Sequence, residues 1–337
     1  MTVLGIETSC DECAAAVVED GRIIRSNVIA SQVELHRPWG GVVPEIASRK
    51  HTETIVPVVR KALSDANVVE RDLHAIAVTN RPGLIGSLLV GVSFAKGLAL
   101  ALDVPFVGVD HIEAHLYAAH IGVNIDFPYL GLLVSGGNTL ISVVRGFFAN
   151  EVLGTTIDDA CGEALDKIAK HYDLGYPGGV AIDRLSERGS PEAFSFPKPS
   201  LHKGEHRYDV SYSGLKTAAV NQLDRFLNPG YEKSPENIAA SFQKAAIDLL
   251  ADRVILAASD TGIRRVVVGG GVAANRYLRR RLGQEAAVDA VFPPMVLCTD
   301  NAAMIAGLGY HQILAGERSG LDLGASPRVA GSRRSYP

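Results

Sequence analysis

The chain has 337 residues, 47% of them hydrophobic and 21% charged, with a formal net charge of -4. That balance excludes a disordered, collagenous or disulfide-scaffold protein, and with no global basic field any nucleic-acid binding must use a local patch. At roughly 150 residues per domain the length suggests two domains or one two-lobed unit. No apolar run is expected to reach the roughly 18 residues of a membrane span, and the start, MTVLGIETSC, lacks the features of a signal peptide, so the expected setting is the cytoplasm, with no membrane association. Four cysteines in a chain this long are a thiol count, not a disulfide framework.

In chain order, residues 3–7 and 14–18 are apolar runs around the polar turn Thr8-Ser9-Cys10-Asp11-Glu12, which reads as a β-hairpin. Residues 30–51 show no clear period and read as an ordered insertion. The spacing of Ile55, Val58, Val59 and Leu63 predicts a helix over 52–66. A strand over 75–79 and the turn Asn80-Arg81-Pro82-Gly83 lead to a long apolar helix over 85–102, expected to be buried all round. A strand over 104–109 and a helical segment after Asp110 follow. The pattern then restarts: an apolar run over 129–134, a turn over 135–139 and a strand over 140–144. Helices are predicted over 158–172 and 236–260. A strand over 265–268 runs into Gly269-Gly270-Gly271, a helix covers 301–315, and the tail RVAGSRRSYP reads as frayed. The lengths of the two strand–loop–strand openings match while their residues barely do. This suggests a duplicated α/β unit whose ligands lie at strand carboxyl ends.

Three glycine- or hydroxyl-rich loops follow strands, at 8–12, 135–139 and 269–275. Their small residues would let backbone N–H groups approach phosphate oxygens, although any one of them alone is commonly just a tight turn. None is a Walker loop or a GxGxxG fingerprint. His111 and His115, four residues apart, would share one helix face and could share a metal; the alternative is two surface histidines. The segment is not a zincin HExxH, since Glu113 falls at the wrong step. Asp300 is a candidate third ligand, or an N-cap of the helix that follows. Cys10 and Cys13 have CxxC spacing but flank a strand-to-strand turn, so they read as incidental. Asp11 and Glu12, adjacent carboxylates beside a phosphate-sized loop, are either reaction-centre groups or solvated turn residues. Short basic clusters at Arg49-Lys50-His51, Arg264-Arg265, Arg279-Arg280-Arg281 and Arg333-Arg334 each suit a solvated face, and together could track a nucleic-acid backbone.

The segments GIETSCDE (5–12), GGVVPEIASR (40–49), HIEAH (111–115), LVSGGNT (133–139), YSGLKT (212–217), GGGVAAN (269–275) and CTD (298–300) resemble, in order and in register, the TsaD family of tRNA adenosine threonylcarbamoyltransferases. The resemblance runs from about residue 1 to 325. It implies an α/β fold of the actin-like, sugar-kinase-like (ASKHA) class, with two ribonuclease-H-like lobes and a nucleotide cleft between them. The matching division is an N-terminal lobe over 1–125 with its insertion at about 30–51, a C-terminal lobe over 126–299, a helix over 300–325 returning to the first lobe, and a tail over 326–337. The implied reaction moves an L-threonylcarbamoyl group from threonylcarbamoyl-AMP to N6 of adenosine 37, in tRNAs that read codons beginning with A. The products are t6A and AMP.

By the same resemblance, His111, His115 and Asp300 would hold one divalent metal, usually Fe2+, with Zn2+ also compatible with such a set. Thr8, Ser9, Leu133, Val134, Ser135, Gly136, Gly137 and Asn138 would lie along the substrate and its phosphate. Asp166, Gly179 and Asp183 would hold the ribose, and Gly270, Gly271 and Asn275 the adenine side. Asp11 and Glu12 would line the reaction centre as its catalytic groups. Partners would be tRNA, a TsaB-like paralogue and a TsaE-like ATPase. Departures from the family pattern are Cys13 for threonine, Arg81 for a glycine, Ala114 for a frequent glycine and Asn138 for a histidine. A kinase of the same fold would explain the loops but not the metal set. The absent HExxH counts against a metalloprotease, and the retained ligands count against a non-catalytic subunit.

Overall fold

The structure, a computed structural model, describes residues 1–198 and 206–328; Arg333, Arg334 and most of the predicted tail lie outside the described residues. The chain forms two compact units, Met1–Ile125 with Pro293–Pro337, and Asp126–Phe292.

The first unit runs β1 (Thr2–Glu7), β2 (Glu12–Glu19), β3 (Ile23–Ser31), a single turn α1 (Val33–His36), α2 (Pro44–Ala66), β4 (Ala75–Arg81), α3 (Ile85–Leu102), β5 (Phe106–Asp110) and α4 (His111–Tyr117). Its sheet has the order β3-β2-β1-β4-β5; β1 pairs antiparallel with β2 and parallel with β4, and β4 parallel with β5. Alternation along β1 divides its neighbours. Leu4 and Ile6 point into a core with Ala15, Val17, Ile55, Val59, Val92 and Ala95. Burying each such aliphatic side chain contributes roughly 1.5–3 kcal/mol.

Three differences from the sequence reading have local causes. β3 was not expected, because an edge strand paired only with β2 keeps most of its residues at least partly exposed and shows no clean alternation. α2 begins at Pro44, inside the segment read as aperiodic; proline suits the first helical turn, and the polar residues behind it face solvent. α3, with 18 residues and a mean hydropathy of 1.9, is long and apolar enough to cross a membrane, against the expectation that no run is. Nor is it buried all round: Ser87, Leu88, Gly91, Val92, Ala95 and Ala99 pack inward, whereas Ile85, Leu89 and Leu100 are exposed.

The second unit repeats the plan with β6 (Tyr129–Val134), β7 (Thr139–Gly146), β8 (Ala149–Thr155), α5 (Cys161–His171), α6 (Gly178–Ser186), α7 (Ser213–Asn221), α8 (Pro235–Thr261), β9 (Arg265–Gly269), α9 (Arg276–Gly283) and β10 (Asp289–Val291). Its order, β10-β9-β6-β7-β8, places a β6/β7 hairpin beside parallel β9 and β10, as β1/β2 lie beside β4 and β5. The structural duplication is therefore present. β8, β10, α6, α7 and α9 are additions to the sequence reading.

The last helix, α10 (Ala302–Leu314), belongs to the first unit and packs on β1, β4 and β2. Gly5 allows this approach. A Cβ there would collide with the Ala302 carbonyl and lie 2.7 Å from the Ala306 nitrogen. The small residues Ala302, Ala303, Ala306, Gly307 and Gly309 complete the close contact, which fixes the start of α10, and Asp300 just before it, over the carboxyl end of β1.

Candidate metal centre and flanking loops

Parallel strands β1, β4 and β5 run side by side and carry polar residues toward their carboxyl ends: Glu7 and Asp110 as the last residues of β1 and β5, and Thr79 two residues before the end of β4. Asp110 caps α4, its Oδ1 accepting from the Ile112 and Glu113 amides at 2.9 and 3.4 Å. Arg81 Nε lies 3.1 Å from Asp110 Oδ2 and steadies the cap, which gives that departure from the family pattern a role within this unit. The cap sets the rotation of α4, so that His111 and His115 share a buried face. Glu113 faces Asp110 and Arg81 instead; burial and Asp110 raise its carboxyl to about 7.

His111 Nε2 and His115 Nε2 lie 3.1 Å apart, and Asp300 Oδ1 lies 3.5 and 3.1 Å from them. One ligand atom from each residue falls within 4.8 Å of the others. Asp300 is not the cap of α10; Asn301 is, through Oδ1 to the Met304 amide at 3.1 Å. The Asp300 carboxylate is therefore left for the histidines. Its pKa is about 2: burial works to raise it, but the two imidazoles outweigh burial. Burial likewise opposes charge on His111, yet Glu7 and Asp300 raise it to about 9. Burial and His111 together lower His115. The cluster thus attracts one positive charge, a proton on His111 or a metal in its place; once a metal displaces the Nε2 proton, nitrogen and oxygen lone pairs converge on one point, with the nitrogen spacing of roughly 3 Å that two ligands on a common ion adopt. The donor set fits a divalent cation.

Glu7, in sequence only the end of an apolar run, is the main site residue that sequence reasoning misses. Fully buried, it accepts from the Ser9 amide at 2.5 Å, the Thr79 hydroxyl at 2.6 Å and His111 Nδ1 at 2.9 Å. Its pKa is lowered because His111 overcomes the effect of burial. Holding the proton on His111 Nδ1 turns the Nε2 lone pair toward the ligand point. His115 Nδ1 finds no hydrogen-bond partner among the described residues, so the support is one-sided. The available signal in the sequence was one carboxylate closing an otherwise apolar strand.

The turn between β1 and β2 adjoins this cluster. Thr8 is buried and gives its hydroxyl to the Ser87 carbonyl at 2.9 Å; Ser9 Oγ lies 3.3 Å from His111 Nδ1. Burial, then Asp11 and Asp300, push the Glu12 carboxyl up to about 9, so it holds its proton at neutral pH. All four cysteines are free.

In the second unit, Leu133 and Val134 are buried in β6 and offer only backbone. Ser135 and Asn138 close the loop on themselves, through Ser135 N to Asn138 O at 2.8 Å and Asn138 N to Ser135 Oγ at 3.1 Å. Gly136 and Gly137 face open space. Gly270, with φ +92°, lies against the Val134 carbonyl where any side chain would collide, which brings the start of the 269–275 loop beside the 135–139 loop. Gly271 opens the short 3-10 turn Gly271–Ala274 that leads to Asn275. Asp166 Oδ1 accepts from the Gly179 amide at 3.1 Å. Asp183 Oδ1 accepts from Gln243 and from the Arg276 amide at 2.8 and 3.1 Å, beside Asn275. Asn275 itself caps α9 through Oδ1 to the Leu278 amide at 2.9 Å. Of the arginines in α9, Arg281 is committed to Asp248, Asp252 and Glu285, and Arg279 donates to the Ala273 carbonyl and stacks on Phe292. Arg280 is exposed.

The duplicated α/β plan places the chain among proteins with the sugar-kinase-like fold. It is similar to nucleotide-bound HypF (17% identity, TM-score 0.61, 94% of this chain and 47% of that one) and to the ROK hexokinase of Thermus thermophilus (18%, TM-score 0.51, 94% and 100%). A narrower match comes from sequence. Residues 23–307 fit the model of TsaD, tRNA N6-adenosine threonylcarbamoyltransferase, and the enzyme of that name from Treponema denticola is 56% identical over 331 residues, 98% of each chain. The chain belongs to the TsaD family, transferases that form t6A on tRNA.

Proposed function

We propose that the threonylcarbamoyl donor is threonylcarbamoyl-AMP, that the acceptor is N6 of adenosine 37 in tRNAs reading codons that begin with A, and that His111, His115 and Asp300 hold one metal, Fe2+ in the working enzyme. The observation that carries this is the convergence of three ligand atoms on one point, supported by Glu7 and adjoining the Asp11–Glu12 turn. A two-histidine, one-carboxylate set suits Fe(II), with Zn2+ as the competitor. When bound, the metal supplies Lewis acidity and a fixed point for the donor.

The chain's own groups do the rest. Gly136 and Gly137, at the open tip of the loop that Ser135 and Asn138 close, are with Gly270 and Gly271 the candidate backbone N–H donors to a phosphate. Asp166, Gly179, Asp183 and Asn275 are the candidate contacts to ribose and adenine. The adenosine amine is a weak nucleophile, so orientation and stabilisation of the departing AMP supply most of the rate. Glu12, protonated at neutral pH, donates a hydrogen bond to charge developing on the carbamoyl oxygen, and Asp11 accepts the proton that N6 loses. The target base lies in an anticodon loop, already unpaired and cheap to splay out. A TsaB-like paralogue completes the RNA surface and a TsaE-like ATPase works with the pair.

The test supplies preformed threonylcarbamoyl-AMP, tRNA and the paralogue to iron-loaded, zinc-loaded and chelated protein. Transfer with iron, less with zinc and none after chelation is expected. Equal transfer by the chelated protein would remove the metal from the reading.

A further inference from the structure

Residues 31–51 include the GGVVPEIASR motif, to which the transfer chemistry gives no task. They form two short helical turns and the first third of α2, wrapped around two histidines with no exposed surface, His36 and His51. This segment takes hold of three consecutive residues of the β1–β2 turn. His51 Nε2 lies 2.8 Å from the Cys10 carbonyl. The Gln32 amide donates to the Asp11 carbonyl at 3.0 Å. Ser31 Oγ donates to Glu12 Oε1 at 2.9 Å, from the residue paired with Glu12 in the β2/β3 ladder. From the other side the Leu84 amide donates to the Ser9 carbonyl at 2.7 Å. A turn that merely joined two strands at the surface would not need external donors at four successive residues, Ser9 to Glu12.

A carbonyl only accepts, so His51 carries its proton on Nε2 and presents Nδ1 to Gln32 Nε2 at 3.5 Å. Burial lowers the His51 pKa, which keeps the ring neutral in that role. His36 braces the far end of the segment, its Nδ1 accepting from the Val43 amide at 3.3 Å. The costs are visible: Gln32 Oε1 and His36 Nε2 are buried and find no hydrogen-bond partner among the described residues. Buried polar groups left unsatisfied cost free energy, so the grip on the turn comes at the expense of stability.

We infer that His51 is a positioning residue for the transfer: with Gln32 and Ser31 it holds the Cys10–Asp11–Glu12 turn so that the Asp11 and Glu12 side chains keep a fixed direction toward the reacting atoms. The inference rests on the reading of Asp11 and Glu12 as reaction-centre groups.

The test is steady-state transfer from preformed threonylcarbamoyl-AMP to tRNA by the complete complex, carrying His51→Leu, which keeps bulk without a donor, or His51→Gln, which restores an N–H. Asp11→Asn and Glu12→Gln run in parallel, with metal content and melting temperature for all. His51→Leu is expected to lower kcat ten- to a hundredfold, with KM for tRNA within twofold and the metal retained; His51→Gln should recover most of kcat at whatever melting temperature it has. If His51→Leu fails to fold, Ser31→Ala carries the test, with a smaller loss of kcat and a melting temperature only slightly below wild type, since its hydroxyl also accepts from the Val33 amide. Wild-type kcat in His51→Leu, or in Ser31→Ala when that carries the test, beside inactive Asp11→Asn, overturns the positioning role. No rescue by His51→Gln despite normal folding also overturns it. Full activity in both Asp11→Asn and Glu12→Gln overturns the reading of the turn itself, and the inference with it.

Discussion

Replacing Glu12 by Gln should stabilise the protein in a pH-dependent way. Its carboxyl is raised from 4.5 to about 9, by burial first and then by Asp11 and Asp300. A folded-state pKa above the unfolded value means the folded chain retains a proton that the unfolded chain releases. Stability from that proton is fully present below pH 4.5, and is lost progressively as pH rises toward 9. Each unit of pH in that window costs about 1.4 kcal/mol, so at pH 7 the wild-type carboxyl costs up to about 3 kcal/mol relative to an amide that cannot ionise. Gln keeps the acceptor for Ser31 Oγ. For a unit of this size that corresponds to a rise in Tm on the order of 5–10 °C at pH 7. Thermal unfolding of chelated wild type and Glu12→Gln from pH 4.5 to 8.5 should show curves that nearly meet at the acid end and diverge toward the alkaline end. A constant offset, or a Glu12→Gln protein less stable at pH 8, would refute the assignment of a buried neutral carboxyl.

Other outcomes follow from named contacts. His111→Ala and Asp300→Ala should each purify folded but metal-depleted, since two surviving ligands hold an ion weakly; full occupancy by metal analysis would dissolve the triad. Glu7→Gln should weaken metal binding roughly 10–100-fold in a chelator competition, because the amide no longer fixes the His111 tautomer; unchanged affinity would make Glu7 a packing residue only. Asn275→Ala should weaken binding of the adenylate, measured by calorimetry, and also lose about 1 kcal/mol of stability, because the same side chain caps α9; an unaffected dissociation constant would move the adenine contact elsewhere. Reversing Arg279, Arg280 and Arg281 together would disrupt the ion pairs of Arg281. Arg280→Glu alone is therefore the informative change for tRNA, with weaker, less salt-dependent binding expected, and tight, salt-insensitive binding by the lone chain counting against a phosphate role.

The sheet cores were legible because β1, β6 and β9 are continuous apolar runs with small polar loops at their carboxyl ends, and the helix pair His111/His115 followed from spacing alone. β3 and the start of α2 were not legible, since neither buries a clean periodic face. α6, α7 and α9 are short helices without a long apolar stripe. In sequence Asp300 is a candidate ligand that cannot be separated from a capping role; the cap falls to Asn301 instead. Glu7 and His51 act through partners 104 and 41 residues away, His111 and Cys10. Contacts at that separation leave no mark in local periodicity.

The most direct measurement is mass spectrometry of tRNA nucleosides after incubating the metal-loaded chain and its paralogue with preformed threonylcarbamoyl-AMP and unmodified tRNA. The expected result is t6A at position 37 of tRNAs that read codons beginning with A, AMP released in equal amount, and neither product with His111→Ala or Asp300→Ala. AMP release without t6A, or t6A formed at full rate by those variants, would contradict it.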